Sequence, residues 1–209
     1  MIVLSDNDII LKLAGCSLLN QFFEILEASS KDILIATNAG YALPKQARKK
    51  LTNEDAVNTV TQFVENVGRI SPVNPDLLSE IQGFKDMDGG ESLLMVAAHE
   101  NPDLLFATGD KRCLQSLIDH QSLEPIDRIF KSLQGRVYCL ETALLLLIEN
   151  LGFEKVNQMV INRCVEDGVL RLAFGQERNI ENATDCLKSY CGNFSSLLLP
   201  VSFLQTSVA

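Results

Sequence analysis

The sequence predicts an α/β fold: a mainly parallel central sheet covered by helices on both faces, followed by a helical C-terminal extension. Three observations carry this. Four short apolar runs, at residues 1–4, 32–37, 103–108 and 136–140, are continuous rather than alternating, as in strands buried on both faces. Segments of helical apolar spacing separate them, the order of elements that builds a parallel sheet. Beyond residue 141 only helical patterns follow. The expected organisation is a sheet domain over residues 1–141 and a helical extension over residues 142–209 packed on it.

Residues 1–4 run into Ser5-Asp6-Asn7-Asp8, a buried strand ending in a polar turn. Ile9, Ile10, Leu11, Leu13 and Ala14 then give a short helix. After Gly15, residues 17–28 place Leu18, Leu19, Phe22, Phe23, Ile25 and Leu26 at helical spacing, with Ser17 as the expected N-cap. Residues 32–37 (DILIAT) form the second strand. Helices follow over residues 40–51, rich in Lys and Arg, over 54–67, opened by Thr52-Asn53, and over 75–84. Gly89-Gly90 breaks the pattern and reads as a helix entry ahead of a helix at 91–99. Residues 103–108 (DLLFAT) are the third strand and end in Gly109-Asp110. Helices at 111–119 and 125–133 lead to the fourth strand, 136–140 (RVYCL). Helices at 142–150, 153–165 and 180–190 and a Leu-rich tail at 197–199 complete the pattern.

Composition narrows the class. With 46% hydrophobic and 22% charged residues among 209, the chain can bury a large core, which argues against disorder. The balance of 18 Lys plus Arg against 27 Asp plus Glu, a net charge of −9, argues against coating a duplex through bulk charge. It leaves room for an enzyme that gathers carboxylates around a metal. The start, MIVLSDND, lacks the basic and apolar regions of a signal peptide. The apolar stretch at 137–148 is interrupted by Glu141 and is shorter than the roughly 18 residues a bilayer needs. No membrane association and a cytoplasmic location are therefore expected. The six cysteines are scattered with no Cys-x-x-Cys pair, as expected of reduced, structural thiols.

In open parallel sheets ligands bind outside the carboxyl ends of the strands. Asp6 follows the first strand directly, Asp110 follows the third, and Glu91 opens the helix that leads into the third. Like charges gathered at one sheet edge repel unless a divalent cation offsets them, so the cluster predicts a Mg²⁺ or Mn²⁺ site. Each residue also has an ordinary structural role open to it. Asp6 and Asp8 can cap the first helix, Glu91 can favour a helical first turn, and Asp110 can cap the helix at Lys111.

Three stretches together resemble the PIN-domain nucleases: IVLSDNDIILKLA with Asp6, DGGESLLMVAA with Glu91, and LLFATGDKRCLQSL with Thr108, Asp110, Lys111 and Arg112. The order and spacing fit across residues 1–140. The family commonly has Asn two residues after the first Asp, where this chain has Asp8. A fourth acidic residue often completes the family site, and Asp88 and Glu141 are the candidates here. Residues beyond 141 have no counterpart in the minimal fold. The resemblance implies a three-layer α/β/α domain and metal-dependent hydrolysis of phosphodiester bonds, usually in single-stranded RNA. Asp6, Glu91 and Asp110 would bind one or two Mg²⁺ or Mn²⁺ ions, with Thr108 orienting a carboxylate or water. A toxin-like role would add a protein inhibitor or antitoxin as partner.

The concentrated basic run, Lys45, Arg48, Lys49 and Lys50, with Lys111 and Arg112 beside the proposed site, is the place for a single-stranded RNA or DNA to be held. The ordinary alternative is a solvated helix face. Apart from Tyr41, no aromatic residue interleaves with these charges, so base stacking is not expected. Two rival functions fit parts of the pattern. Asp6-Asn7-Asp8, Thr37-Asn38 and Gly109-Asp110 also resemble the haloacid-dehalogenase phosphatases, although Ile10 and Lys111-Arg112-Cys113-Leu114 depart from that motif. A PIN-like scaffold that binds without cutting is the other. The C-terminal helices could join two subunits into a homodimer or could simply pack on the sheet domain.

Overall fold

The computed structural model describes residues 2–202. Met1, part of the first expected strand, and residues 203–209 of the expected extension lie outside the described residues. Among the described residues the chain is a mostly helical α/β protein whose strands are short and all parallel: β1 (Ile2–Ser5), β2 (Ile33–Ile35), β3 (Gly68–Arg69), β4 (Leu104–Thr108) and β5 (Val137–Cys139). They form one five-stranded sheet in the order β3-β2-β1-β4-β5. Register is set by Val3 opposite Ile33 on one side and Leu105 on the other, and by Phe106 opposite Val137.

Each parallel crossover carries two helices. Helices α1 (Asn7–Gly15) and α2 (Leu19–Ile25) join β1 to β2, and α3 (Ala39–Lys50) and α4 (Glu54–Asn66) join β2 to β3. Helices α5 (Pro75–Ile81) and α6 (Gly89–Glu100) lead into β4, and α7 (Lys111–Asp119) and α8 (Ile126–Leu133) lead into β5. Then come α9 (Leu140–Leu151), α10 (Phe153–Ile161), α11 (Gly168–Ala173) and α12 (Ile180–Cys191). The chain grows outward from β1 to β3, then returns to the other side of β1 with β4. That reversal between β1 and β4 is the switch point at which open parallel sheets leave a crevice.

Successive strand side chains point to opposite faces and feed two cores. Val3, Ile33, Ile35, Ala107 and Tyr138 join the buried residues of α1–α4 and α9–α12. Leu104, Phe106, Val137 and Cys139 join those of α5–α8. Helix α8 illustrates how sequence makes such an element: Ile126, Ile129, Phe130 and Leu133, spaced along one helical face, are all buried. All six cysteines are free, and four of them are buried. No helix among the described residues is long and apolar enough to cross a membrane.

Several local expectations change. Strand β3 is an addition to the expected strands, because Gly68–Arg69 has no apolar side chain and follows a long helical pattern. Ser17 is not an N-cap: its φ of 57° is left-handed, and α2 begins only after Leu18, without a side-chain cap. Helix α6 starts earlier than residue 91, since Asp88 caps it and Gly89-Gly90 form its first turn. Helix α10 stops at Ile161, and the chain then packs on α1, the Cys164 N–H donating to the Gly15 carbonyl at 2.9 Å. Helix α11 leaves no sequence pattern because it is only six residues long and opens on a glycine. The Leu-rich tail is extended: Leu198 bridges Val137 in parallel, beside β5.

Candidate functional site

Chain direction brings β1 and β4 side by side, so whatever follows each strand meets at one edge. Asp6 continues the pairing, its N–H donating to the Ala107 carbonyl at 2.8 Å. Its extended backbone makes it the N-cap of α1, where its carboxylate accepts from the Asn7 N–H at 2.6 Å and the Asp8 N–H at 3.4 Å. The buried Thr108 hydroxyl, at the end of β4, donates to Asp6 Oδ2 at 3.2 Å and accepts from the Asp110 N–H at 3.1 Å. Thr108 thus ties the two strand ends together. Gly109 permits the contact, because a Cβ there would lie 2.6 Å from Asp8 Oδ2 and 2.8 Å from the Ile9 nitrogen.

Asp110 caps α7 by accepting from the Arg112 N–H at 2.8 Å. Glu91 is the third residue of α6, and Asp88 accepts from its N–H at 2.8 Å while the Asp88 N–H donates back to Glu91 Oε2 at 3.4 Å. The ordinary capping roles therefore hold for Asp6, Asp110 and the Asp88–Glu91 pair. Asp8 is no cap; it sits in the first turn of α1, 2.6 Å from Lys12 Nζ.

Capping does not exhaust these residues. A cleft of about 500 Å³ is lined by Asp6, Asp8, Asp88, Glu91 and Asp110, with Asn38, Gln46 and Lys50 of the α3 segment also on its wall. Burial, then the charges of Asp88, Asp110 and Asp6, push the Glu91 carboxyl up to about 8. Burial and Asp8 push Asp6 up to about 6. Asp110 goes the other way, held below the usual carboxylate range by its hydrogen bonds to Arg112. The cleft gathers more negative charge than its cations offset.

Among the described residues, no three carboxylate, imidazole or thiol side chains stand close enough to hold an ion as placed. The reason is visible in their bonds: Asp110 faces the Arg112 guanidinium and Glu91 faces the Asp88 backbone. By donor chemistry the set fits a hard divalent cation, since Asp6, Glu91 and Asp110 offer carboxylate oxygens whose mutual repulsion such a charge would relieve.

The remaining expected residues scatter. Glu141 is 1% exposed and lies away from the cleft, its Oε1 2.6 Å from Lys111 Nζ. Lys111 also lies over the Tyr190 ring, 4.7 Å from its centroid, so it is turned into the junction with α9 and α12 rather than toward the cleft. Lys45, Arg48 and Lys49 are exposed on α3 outside the cleft wall. Sequence reasoning misses Lys12 altogether. Its ammonium meets Asp8 at 2.6 Å, Asp167 at 3.0 Å and the Gly109 carbonyl at 3.3 Å, joining the cleft loops to α11. The four-residue spacing from Asp8 to Lys12 is the signal that could have found it. Asn38 and Gln46 carry no signal beyond their place after the second strand.

Comparison of the chain with protein-family models, with curated proteins and with solved structures found no match in any of the three.

Proposed function

We propose that the chain is a metal-dependent nuclease that hydrolyses phosphodiester bonds in single-stranded RNA, with Asp6, Glu91 and Asp110 holding Mg²⁺ or Mn²⁺. The observation that carries this reading is the meeting of these three carboxylates in one cleft beside the β1–β4 switch point, with Arg112 and Lys50 as the cations lining it. The reading takes the domain as a three-layer PIN-like one, supported by the alternation of strand side chains between two helix-lined cores. A toxin-like role, with a protein inhibitor over the cleft, belongs to the same proposal.

When bound, the divalent cation supplies Lewis-acid stabilisation of charge on the phosphodiester. The chain's own residues prepare the rest. Thr108 fixes one oxygen of Asp6, and Lys12 fixes Asp8 and the Gly109 loop. Asn38 and Gln46 face the acidic wall with neutral amides, suited to phosphate oxygens or ribose hydroxyls. Arg112, exposed at the rim, can exchange Asp110 for an incoming phosphate.

One observation favours a second reading, a binding module that does not cut: Asp110 is engaged by Arg112 and no ready-made ion cage exists among the described residues. Nothing comparable favours a phosphatase, since Asp8 is held by Lys12 and Thr37 does not line the cleft. The two surviving readings part in one assay. The purified chain should cleave single-stranded RNA with Mn²⁺ or Mg²⁺ and stop with EDTA. Asp6→Asn and Asp110→Asn should each lose more than about 100-fold in rate while the circular dichroism spectrum stays unchanged. Activity that survives both substitutions would remove the site assignment, and a wild-type chain that binds RNA without cutting it would leave the binding module.

A further inference from the structure

Helix α3 carries two parallel rows of side chains. Asn38, Ala42, Gln46 and Lys50, spaced by four, line the acidic cleft. The adjoining row, Tyr41, Lys45 and Lys49, faces solvent. Tyr41 is 90% exposed, more than any other large apolar side chain among the described residues. A lone surface aromatic is ordinary. This one stands beside the cleft wall at the head of a cationic row, each step of which is about 6 Å along the helix.

The charges are equally distinctive. Helix α3 contains no acidic residue. Among the described residues eleven of the 18 Lys and Arg make no ion pair, and four of these, Lys45, Arg48, Lys49 and Lys50, stand together on this one helix. A chain of net charge −9 thus concentrates unneutralised cations on one helix, along the wall of the acidic cleft. Cations without partners attract an anionic polymer, and an exposed ring beside them offers a stacking surface. That combination is how single strands are held, because each unpaired base presents a π-face while its phosphates follow the basic track. A duplex keeps its bases stacked inside and has none to offer.

We propose that α3 is the substrate ramp of the cleft: Tyr41 stacks on an unpaired base of a single-stranded nucleic acid whose phosphates lie along Lys45 and Lys49, delivering the adjoining nucleotide past Gln46 and Lys50 into the cleft. The inference rests on the nuclease reading and adds the residue that selects single strands. Tyr41 is a positioning and specificity residue.

The test is binding of a dye-labelled, mixed-sequence single-stranded RNA with Mg²⁺, followed by fluorescence anisotropy in an Asp6→Asn background so that the probe is not consumed. Tyr41→Ala should weaken binding about tenfold, and Tyr41→Trp should restore it. An RNA with one abasic position under the ring should bind the Tyr41 protein as weakly as Tyr41→Ala binds intact RNA. Lys45→Gln and Lys49→Gln should each reduce the slope of log K against log salt by about 0.7. If RNA binds but Tyr41→Ala binds it as tightly, or if a duplex binds as well as the single strand, the ramp is wrong and the nuclease reading survives. If neither the Asp6→Asn nor the wild-type chain binds any oligonucleotide, the nuclease reading falls and the ramp with it.

Discussion

Lys111 and Arg112 are neighbours at the start of α7, and their side chains part into two regions. Behind the sheet edge, where α7 meets α9 and α12, Lys111 is matched one to one with Glu141 beneath the Tyr190 ring. At the cleft, Arg112 is 77% exposed and faces Asp110 while Asp6, Asp8, Asp88 and Glu91 stand nearby. The junction pairs its two charges with each other, although the buried Glu141 Oε2 has no hydrogen-bond partner among the described residues. The cleft leaves carboxylates uncompensated, which native structures rarely tolerate away from sites that bind something. A cation at a given point in the chain thus acts by what surrounds it: the same charge serves as a structural tie in one region and as a replaceable counter-charge in the other.

The largest effect should come from breaking the junction. Lys111→Met leaves Glu141 buried without its partner, and losing one member of a buried pair costs about 3 kcal/mol or more. Urea unfolding should register that loss, and Lys111→Met combined with Glu141→Leu should recover much of it, because a well-packed apolar pair no longer strands a charge. A loss below about 1 kcal/mol for Lys111→Met would mean that water screens the pair and that the junction is not closed.

A smaller effect should appear at the cleft when pH is varied with EDTA present. Asp6 and Glu91 are held above their ordinary values, to about 6 and about 8, by burial and by neighbouring carboxylates. The folded chain therefore keeps protons that the unfolded chain has released. Their stabilising contribution is full below the ordinary carboxylate range, about pH 4, and is lost as pH rises through about 8. The urea midpoint should fall across that window, less than for Lys111→Met because the open cleft relaxes and admits water. Glu91→Gln should flatten the upper part of the decline. A midpoint that rises steadily from pH 5 to 8 would show that the cleft charge is already balanced.

The strands that hold this cleft were legible because a continuous apolar run as short as 103–108, bounded by polar turns, suits a buried strand better than a helix, and Asp6 and Asp110 were legible because they end such runs. What the sequence hid was direction. Lys111 and Arg112 read as one basic pair, yet adjacent positions on a helix point about 100° apart, and only the packing of α9 and α12 decides that Lys111 meets Glu141. Lys12 was hidden for a related reason, since its partner Asp167 lies 155 positions away, at the cap of a helix too short to leave a pattern. Strand β3 has no apolar side chain to announce it; Gly68 fits because a Cβ would lie 2.6 Å from Leu34 Cδ2. Long-range pairings and backbone-only strands leave no periodic trace.

The smallest change in stability should come from Arg112→Met, and it is the most discriminating between the two regions. An exposed guanidinium held only by Asp110 adds little to folding, so the urea midpoint at about pH 5 should stay within error of wild type. The cleft chemistry should nevertheless move. Asp110 loses the guanidinium hydrogen bonds that do most to keep its carboxyl low, while the N–H of residue 112 still caps it, so its carboxyl should rise toward the ordinary range. The freed carboxylate should also favour a divalent cation, because the guanidinium and the metal would compete for the same oxygens. Titration with Mn²⁺, read by isothermal calorimetry, should show affinity rising by about threefold or more in Arg112→Met. A conservative change at the junction, Tyr190→Phe, should leave it unaltered, since the ring over Lys111 is kept. Weaker Mn²⁺ binding in Arg112→Met would instead make the guanidinium a fixed part of the cleft, and the Asp110 carboxylate a cap with no second task.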